Sequence, residues 1–207
     1  MASETILDVA IRQFGDRGFE GASTRAIAAA ANTVMSSITY HFGGKEGLYL
    51  ACADHIAAHL AERFAPIMAE IGSPADMDRQ QATEATCALI EQIALLMMSD
   101  ESRDWTNFLI REQQNPGPAF ERLYSGIMHH MVELLRALIV RVRPELDASA
   151  IRALGIGIFG QALVLRAARA TVIRVLDVSE IGETEKKLLL DQIRYNIKAL
   201  LRSDPPS

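Results

Sequence analysis

Apolar residues recur at helical spacing along almost the whole chain, and no segment shows the strict alternation that marks a half-buried strand. The first clear example runs from Leu7 to Phe14, and Gly15 with Gly18 is expected to end that helix. Longer helices are expected at about residues 45–71, 80–98, 105–114, 120–143, 148–176 and 184–202, between clusters rich in glycine and proline. The pattern therefore predicts an all-α fold of about nine helices.

Two short helices are predicted between the first helix and the long fourth one. Ser23 is placed to cap the second helix, which carries Ile27 on its apolar side. A third helix is expected over Met35–Phe42, where Gly43 stops it. Asn32 lies between the two and tolerates the left-handed backbone of a tight helix–helix turn. The segment predicts a small three-helix head.

The composition is that of an ordinary globular protein, with 49% apolar and 23% charged residues. A net charge of −5 excludes a protein that coats polyanions through overall positive charge, so any contact with DNA must be local. Such a local excess exists, because residues 21–45 contain the two basic residues Arg25 and Lys45 and no acidic residue. The sequence therefore allows DNA binding by this segment alone.

Several features favour a cytoplasmic protein. The N-terminus has no basic start followed by an apolar block, so it is not expected to be a signal peptide. The apolar run over residues 153–165 is expected to be too short to span a bilayer. The two cysteines, Cys52 and Cys87, lie in apolar helical patterns and are expected to be reduced and packed.

The predicted third helix carries small polar side chains and hardly any charge. Such side chains can approach base edges, while Tyr40 and His41 have the reach for phosphates. The alternative is a short helical hairpin inside a larger bundle. The expected DNA-binding residues are Ser23, Thr24, Arg25, Met35, Ser36, Ser37, Thr39, Tyr40, His41 and Lys45.

The segment from the first helix to the start of the fourth resembles the DNA-binding head of the TetR/AcrR family of bacterial repressors. The resemblance covers about the first 50 residues. It implies a helix-turn-helix domain over residues 1–46 and a ligand-binding and dimerisation domain over residues 47–207. The matching features are the helix ending in Phe14 and Gly18, the Ser23 cap, Ile27-Ala28, Ala31, Tyr40-His41-Phe42, Lys45-Glu46 and Leu48.

Three positions depart from the usual family pattern. Asn32 replaces a turn glycine, which its tolerance of a left-handed backbone explains. Thr33 stands where the family usually has an apolar residue and is expected to cap the third helix. Thr39 occupies the usual tyrosine position, with Tyr40 one place later. Together with residues 108–124, this pattern resembles the CecR-type branch of the family.

The middle helices are rich in methionine and aromatic residues. Such a stripe is more often core than cavity, but the family resemblance implies an effector cavity in these helices for a small apolar or aromatic ligand. The polar side chains of Arg111 and Gln161 would orient the ligand or pair within the protein. The expected lining residues are Met97, Trp105, Phe108, Arg111, Phe120, Tyr124, Met128, Phe159 and Gln161.

The last two long helices combine apolar stripes with small residues that suit close helix packing. The resemblance implies that these helices form a homodimer. Ordinary intramolecular core accounts for part of the same stripe. The expected interface residues are Gly157, Gly160, Leu163, Ile193, Ile197 and Leu200.

Two further patterns are interpreted as structural. Gly155–Gly160 matches the dinucleotide fingerprint G-x-G-x-x-G, but the preceding residues predict a helix where that motif needs a strand. Cys52, His55, His59 and Glu62 share one stripe of the fourth helix, which is interpreted as solvated or packed. No catalytic motif is present, so neither an enzyme nor a bound metal or cofactor is expected.

The function expected from these patterns is a ligand-responsive transcription regulator, in the first place a repressor. It would bind palindromic operator DNA as a homodimer, because two half-sites one helical turn apart need two heads. A small apolar effector would release the DNA. Two other classes stay open: an apolar-ligand-binding or interaction protein whose head has lost DNA affinity, and a helical enzyme.

Overall fold

The structure, a computed structural model, describes residues 2–100 and 102–202. Within these ranges there is no β-strand, which confirms the all-α fold. A 3-10 turn (Pro74–Asp76) precedes α5, and a π-helical segment (Tyr124–Met128) joins α7 to α8. The α-helices are α1 (Ala2–Gly21), α2 (Thr24–Ala30), α3 (Met35–Phe42), α4 (Lys45–Ile71), α5 (Arg79–Met98), α6 (Arg103–Gln114), α7 (Pro118–Leu123), α8 (His129–Val142), α9 (Ala148–Ala167), α10 (Arg169–Leu176) and α11 (Glu183–Arg202).

The prediction that Gly15 with Gly18 ends the first helix is correct at Gly18 and wrong at Gly15. Gly18 interrupts α1 with φ 73° and ψ 175°, and a further helical turn follows to Gly21. Gly15 instead lies within the helix, where a Cβ would come within 2.8 Å of the Asp104 carbonyl oxygen in α6. This glycine is therefore a point of close packing, since the approach of α6 leaves no room for a side chain.

Two helices that the sequence predicts as continuous are interrupted. The predicted helix over residues 120–143 contains the π-helical segment, which separates α7 from α8. At Gly126 in this segment, a Cβ would lie 2.8 Å from the Ala57 Cβ of α4. The predicted helix over residues 148–176 divides at Ala168 into α9 and α10.

The chain forms two compact units. Unit 1 consists of residues 1–63 and 100–129, and unit 2 consists of residues 64–99 and 130–207. Unit 1 thus contains α6 and α7 in addition to the head helices. The domain boundary between residues 46 and 47 stays a prediction, and it differs from this division by contacts.

The core of unit 1 lies where α1 packs on α2, α6 and the start of α4, and where α2 packs on α3. Phe14, Ile27 and Phe108 are fully buried in it. Polar contacts reinforce the packing of α1 on α6, because Arg12 Nε lies 2.8 Å from Asp104 Oδ2. Arg111 of α6 also donates hydrogen bonds to the backbone carbonyls of residues 15 and 16.

The core of unit 2 is built from α5, α8, α9 and α11. Asp78 begins α5 with a capping box, in which its side chain accepts from the Gln81 amide and Gln81 returns a hydrogen bond, each 2.8 Å long. Asp147 caps α9, and hydrogen bonds from the backbone amides of residues 150 and 149 lower its pKa. Arg194 of α11 pairs with Glu84 and Glu91 of α5 at 2.7 and 2.6 Å.

One helix among the described residues, α9, is long and apolar enough to cross a membrane by length and composition alone. The expectation that the apolar run is too short to span a bilayer is based on residues 153–165, which are only part of this 20-residue helix. Only 22% of its most apolar window is buried within the chain. The helix therefore presents an uncovered apolar face.

Candidate nucleic-acid interface

The turn between α2 and α3 has the backbone conformation that the sequence predicts. Asn32 adopts φ 51°, in the left-handed region. The turn is held by hydrogen bonds from the Asn32 amide to the Ala29 carbonyl (3.2 Å) and from the Thr33 amide to the Ala28 carbonyl (2.9 Å). A tight helix-turn-helix connection is therefore present, with asparagine in place of the usual glycine.

Neither predicted side-chain cap is formed. Ser23 stands at the N-cap position of α2, but its hydroxyl makes no capping hydrogen bond. The N-cap residue of α3 is Val34 and not Thr33, and its side chain has no group that could cap. The exposed Ser23 hydroxyl remains available to an external acceptor such as a phosphate oxygen.

The two sides of α3 differ sharply. Ile38 is buried, in the same unit as the buried Ile27 of α2. On the other side Met35 is 53% and Tyr40 85% exposed. Ser36, Thr39 and His41 are also exposed, while Ser37 is half-buried. Six of the ten expected DNA-binding residues thus lie on or beside one uncharged helix surface.

The basic residues flank this surface. Arg25 is exposed on α2. Lys45 at the start of α4 is half-buried, with Nζ 3.3 Å from the Glu20 carbonyl oxygen and 4.7 Å from the centroid of the Phe19 ring. A lysine ammonium has three donors, so the single hydrogen bond to Glu20 leaves two for a phosphate.

The connection between α3 and α4 depends on glycines. Gly43 ends α3 with φ 75°, and Gly44 has φ 117°. A Cβ at Gly47 would lie 1.7 Å from the Phe42 carbonyl oxygen, so no side chain fits there. These glycines set the direction in which α4 leaves α3.

An aromatic cluster that no sequence pattern predicts supports the head. The Tyr49 ring packs against Phe14, Phe19 and Phe108, with centroid distances of 4.8, 5.1 and 4.7 Å. Its hydroxyl donates a hydrogen bond to Glu112. No local pattern could reveal this cluster, because Phe108 and Glu112 lie about 60 positions from Tyr49 in the chain.

The residues expected to line an effector cavity are divided between the two units. Unit 1 contains Trp105, Phe108, Arg111, Phe120, Tyr124 and Met128, and unit 2 contains Met97, Phe159 and Gln161. Several of them have partners within their own unit. Arg111 donates a hydrogen bond to the backbone of α1, and the rings of Phe120 and Tyr124 stack with their centroids 5.9 Å apart. Gln161 accepts a hydrogen bond from Asn196.

Two surface grooves are present in other places. One, of about 350 Å³, lies in unit 1 between α4 and α7 under the Asp54–Arg122 ion pair. The other, of about 330 Å³, lies in unit 2 between α5 and α11 beside Arg194. None of the nine expected effector residues lines either groove, so the effector site stays a prediction.

The expected dimer residues fall into two groups. Gly157, Gly160, Leu163 and Leu200 lie on the surface, and a Cβ on either glycine would meet no atom within 4 Å. Ile193 and Ile197 are only 5% and 0% exposed, so they belong to the core of unit 2. Sequence reasoning missed Ile156, Leu188 and Tyr195, which are large apolar residues exposed on the same two helices.

The stripe on α4 that could have suggested a metal site is occupied by ordinary contacts. Cys52 is buried, and burial raises the pKa of its thiol. His55 Nε2 lies 3.7 Å from an Asp8 carboxylate oxygen, and His59 packs edge-on against Trp105. The glycine motif of residues 155–160 lies inside α9, as the helix prediction requires.

A tight turn with a left-handed asparagine, followed by a short helix whose uncharged face is open to solvent, defines a helix-turn-helix domain. Comparison with known families agrees. The model "Bacterial regulatory proteins, tetR family" matches residues 6–52, and the model "HTH-type transcriptional dual regulator CecR, C-terminal domain" matches residues 82–203. The chain belongs to the TetR family of bacterial regulatory proteins and carries the C-terminal domain of its CecR branch.

Individual proteins show the same relationship. The chain is 34% identical over 143 residues to the HTH-type transcriptional dual regulator CecR of Shigella flexneri, a match that covers 66% of this chain and 64% of CecR. The chain thus aligns with somewhat less than two thirds of that relative.

Two solved structures have the same fold. AibR, solved with isovaleryl coenzyme A and operator DNA, superposes with a TM-score of 0.68 at 17% identity and covers 94% of this chain and 96% of AibR. FadR of Bacillus subtilis, solved with stearoyl-CoA, superposes with a TM-score of 0.62 at 15% identity and covers 98% and 99%. At these identities the likeness establishes the fold alone.

Proposed function

We propose that this chain is a cytoplasmic transcriptional repressor that binds palindromic operator DNA as a homodimer and releases it when a small apolar effector binds. The observation that carries the proposal is the exposed, uncharged face of α3 with the cations Arg25 and Lys45 beside it. A hairpin serving only as part of a bundle would cover this face, yet Tyr40 is 85% exposed.

Each group of head residues has a role in this proposal. Ser23, Thr24 and Arg25 lie at the start of α2, the helix that crosses the DNA backbone in helix-turn-helix proteins, and so they contact phosphates. Tyr40, His41 and Lys45 contact phosphates at the other end of α3. The residues that face the base edges are Met35, Ser36, Ser37 and Thr39.

The uncovered apolar faces of α9 and α11 support the homodimer. Ile156 is 73% and Tyr195 69% exposed in the single chain, and exposed apolar patches of this kind usually mark an interface. A stable interface needs to bury about 1,000 Å² or more. Gly157 and Gly160 let a partner helix approach closely, because neither carries a Cβ.

The contacts of α6 with α1 support a link between an effector and the head within unit 1. The helix α6 carries Trp105 and Phe108, and the same helix is fastened to α1 by Arg12–Asp104 and by Arg111. An effector that displaces α6 therefore displaces α1. To weaken DNA binding tenfold, it needs to favour the DNA-incompetent state by about 1.4 kcal/mol.

Binding to the DNA that flanks the gene of this protein tests the proposal. Fluorescence anisotropy over a range of salt concentrations should show specific, salt-dependent binding. Arg25→Ala should weaken binding to all sequences and lower the slope against log salt by about 1, as loss of one phosphate contact does. Tyr40→Ala should also weaken all sequences together.

Lys187→Ala is the matched control, because it removes an exposed cation from α11 in unit 2. Its affinity and salt slope should equal those of the parent. If the parent protein binds its own flanking DNA no better than unrelated DNA, and Arg25→Ala changes nothing, the proposal is wrong. The chain would then be a ligand-binding or interaction protein with an inactive head.

A further inference from the structure

The exposed face of α3 lacks every side chain that makes paired hydrogen bonds to a base. From residue 33 to residue 44 the sequence is TVMSSITYHFGG, which contains no Arg, Lys, Asn, Gln, Asp or Glu. Arg or Lys with guanine, Asn or Gln with adenine, and Asp or Glu with cytosine are the usual specific contacts in the major groove. A helix of this composition must therefore distinguish bases by other means.

The same face instead presents aliphatic groups. Val34 is 66% and Met35 53% exposed at the N-terminal end of α3, the end that contacts base edges in helix-turn-helix proteins. Thr39 is exposed one turn further on, and its hydroxyl is directed back to the Met35 carbonyl oxygen at 3.5 Å. What Thr39 offers to an approaching groove is therefore mainly its methyl group.

The charges around this face favour DNA as its occupant. Between residues 21 and 45 the two charged residues are the cations Arg25 and Lys45. A partner protein with an apolar surface would gain nothing from these cations. The phosphates on both sides of a major groove are anionic and would pair with them. Within the groove, the one apolar group on any base edge is the C5 methyl of thymine.

We propose that Val34, Met35 and Thr39 recognise the operator half-site chiefly through the methyl groups of thymines. This inference rests on the proposed DNA binding and adds the chemistry by which the sequence is recognised. The operator half-site then contains at least two thymines in the positions that face α3, on either strand. Exchange of any of them for another pyrimidine without the methyl group weakens binding.

Three polar side chains near the face have other assignments. Arg25 starts the helix that crosses the DNA backbone, so it contacts a phosphate. Asn32 lies in the turn before α3. His41 is near the C-terminal end of α3, and its ring packs edge-on against Tyr40 at 5.0 Å. The aliphatic groups of Val34, Met35 and Thr39 thus lie among the positions closest to the base edges, beside the single hydroxyls of Ser36 and Ser37.

Replacing thymine by deoxyuridine tests the proposal directly, because it removes the methyl group and keeps every hydrogen-bonding atom. Once the operator is known, each dT in the half-site is exchanged for dU and the dissociation constant is measured. Each contacted methyl should contribute about fourfold, the value of burying one methyl-sized group. Replacing dG by 7-deaza-dG, which removes the N7 acceptor, is the matched exchange for hydrogen bonding and should change affinity less than twofold.

Variants of the protein identify the contacting side chains. Met35→Ala and Val34→Ala should each weaken binding to the dT operator and have a smaller effect on the dU operator. The reason is that removing the side chain and removing the thymine methyl group abolish the same contact. Both side chains are exposed, so the fold of the head should be unaffected, and circular dichroism checks this. Lys187→Ala in α11, outside the proposed DNA-binding surface, is the control and should bind both operators as the parent does.

The outcomes separate the two proposals. If no specific operator binding is found, the proposed function is wrong and the methyl proposal, which rests on it, is wrong as well. If binding is specific but indifferent to dU and lowered fivefold or more by 7-deaza-dG, the operator is recognised through guanine hydrogen bonds. That result overturns the methyl proposal and leaves the proposed function intact.

Discussion

The hydroxyl of Tyr49 in α4 donates a hydrogen bond to the carboxylate of Glu112 in α6, which is only 6% exposed. Burial and, after it, this hydrogen bond raise the pKa of Tyr49, so the phenol keeps its proton. The pair lies beneath the head, beside the contact of α6 with α1. It is the polar connection between a helix expected to sense the effector and the helix that follows α3.

Removing the Tyr49 hydroxyl should destabilise unit 1. Tyr49→Phe leaves the Glu112 carboxylate buried without its donor, which costs about 1–3 kcal/mol of the free energy of unfolding. Urea unfolding followed by circular dichroism measures the change. The double variant Tyr49→Phe/Glu112→Gln should recover part of the loss, because a buried neutral amide costs less than a buried carboxylate. Tyr49→Phe with parental stability would show that the hydrogen bond contributes nothing.

Gly15→Ala should also destabilise unit 1, for a steric reason. The added Cβ would lie 2.8 Å from the Asp104 carbonyl oxygen and 3.3 Å from the Asn107 Cβ, so α1 and α6 must separate. Overpacking of this kind typically costs about 1–3 kcal/mol. Gly21→Ala is the control, because its Cβ would meet only the Arg17 side chain at 3.3 Å. Equal unfolding midpoints for the two variants would contradict the close packing at Gly15.

The stability of unit 2 should depend on pH through Glu84. Hydrogen bonds from Lys198 and then the charges of Lys198 and Arg194 lower the pKa of Glu84 below 4.5. Because the folded-state pKa is the lower one, the charged carboxylate stabilises the fold above about pH 4.5 and this contribution is lost as the pH falls further. The side chain is partly exposed, so the contribution should be below about 1 kcal/mol.

Glu84→Gln should therefore unfold at a lower urea concentration than the parent at pH 7. The two urea midpoints should converge as the pH falls below the lowered pKa of Glu84. Glu70→Gln, an exposed position in the same unit, is the control and should follow the parent at every pH. A constant difference between Glu84→Gln and the parent over the whole range would mean that ionisation of Glu84 is not the cause.

A charge on the uncovered apolar face should disrupt the proposed homodimer without unfolding the chain. Ile156→Glu and Tyr195→Glu place a carboxylate at exposed positions of α9 and α11, and sedimentation velocity should show monomers or a dissociation constant raised by tenfold or more. Val175→Glu adds the same charge to an exposed apolar position of α10 and should remain dimeric. Unaltered dimers in both test variants would move the interface to another surface.

Trp105 should report an effector that binds against α6. It is the single tryptophan, and its ring lies 5.9 Å from that of His59, so displacement of α6 from α4 changes its emission. A screen of apolar and aromatic compounds should find ligands that change this emission and release operator DNA at the same concentrations. Compounds that release DNA from a Trp105→Phe/Phe108→Ala variant, and leave the emission of the parent unchanged, would place the effector site elsewhere.

The sequence by itself determined the features whose causes are local. The sequence predicts a short helix around residues 35–42 that Gly43 stops, which agrees with α3. Asn32 and Gly43 take the left-handed conformations that their residue types suggest. The recognition of the TetR family rests on the same short segment. Capping was the local exception, because Ser23 and Thr33 have the right side chains but neither makes a capping hydrogen bond.

Only the tertiary structure decided what each apolar residue packs against. An apolar stripe shows which residues of α11 share a face, but Ile197 is covered by its own chain and Tyr195 is not. Likewise the sequence suggests that Gly15 ends a helix. In the structure a Cβ at Gly15 would lie 2.8 Å from the Asp104 carbonyl oxygen of α6, about 90 positions away in the chain. The hydrogen bond between Tyr49 and Glu112 has the same origin, since contacts between distant segments depend on how helices pack, and helical periodicity describes each helix alone.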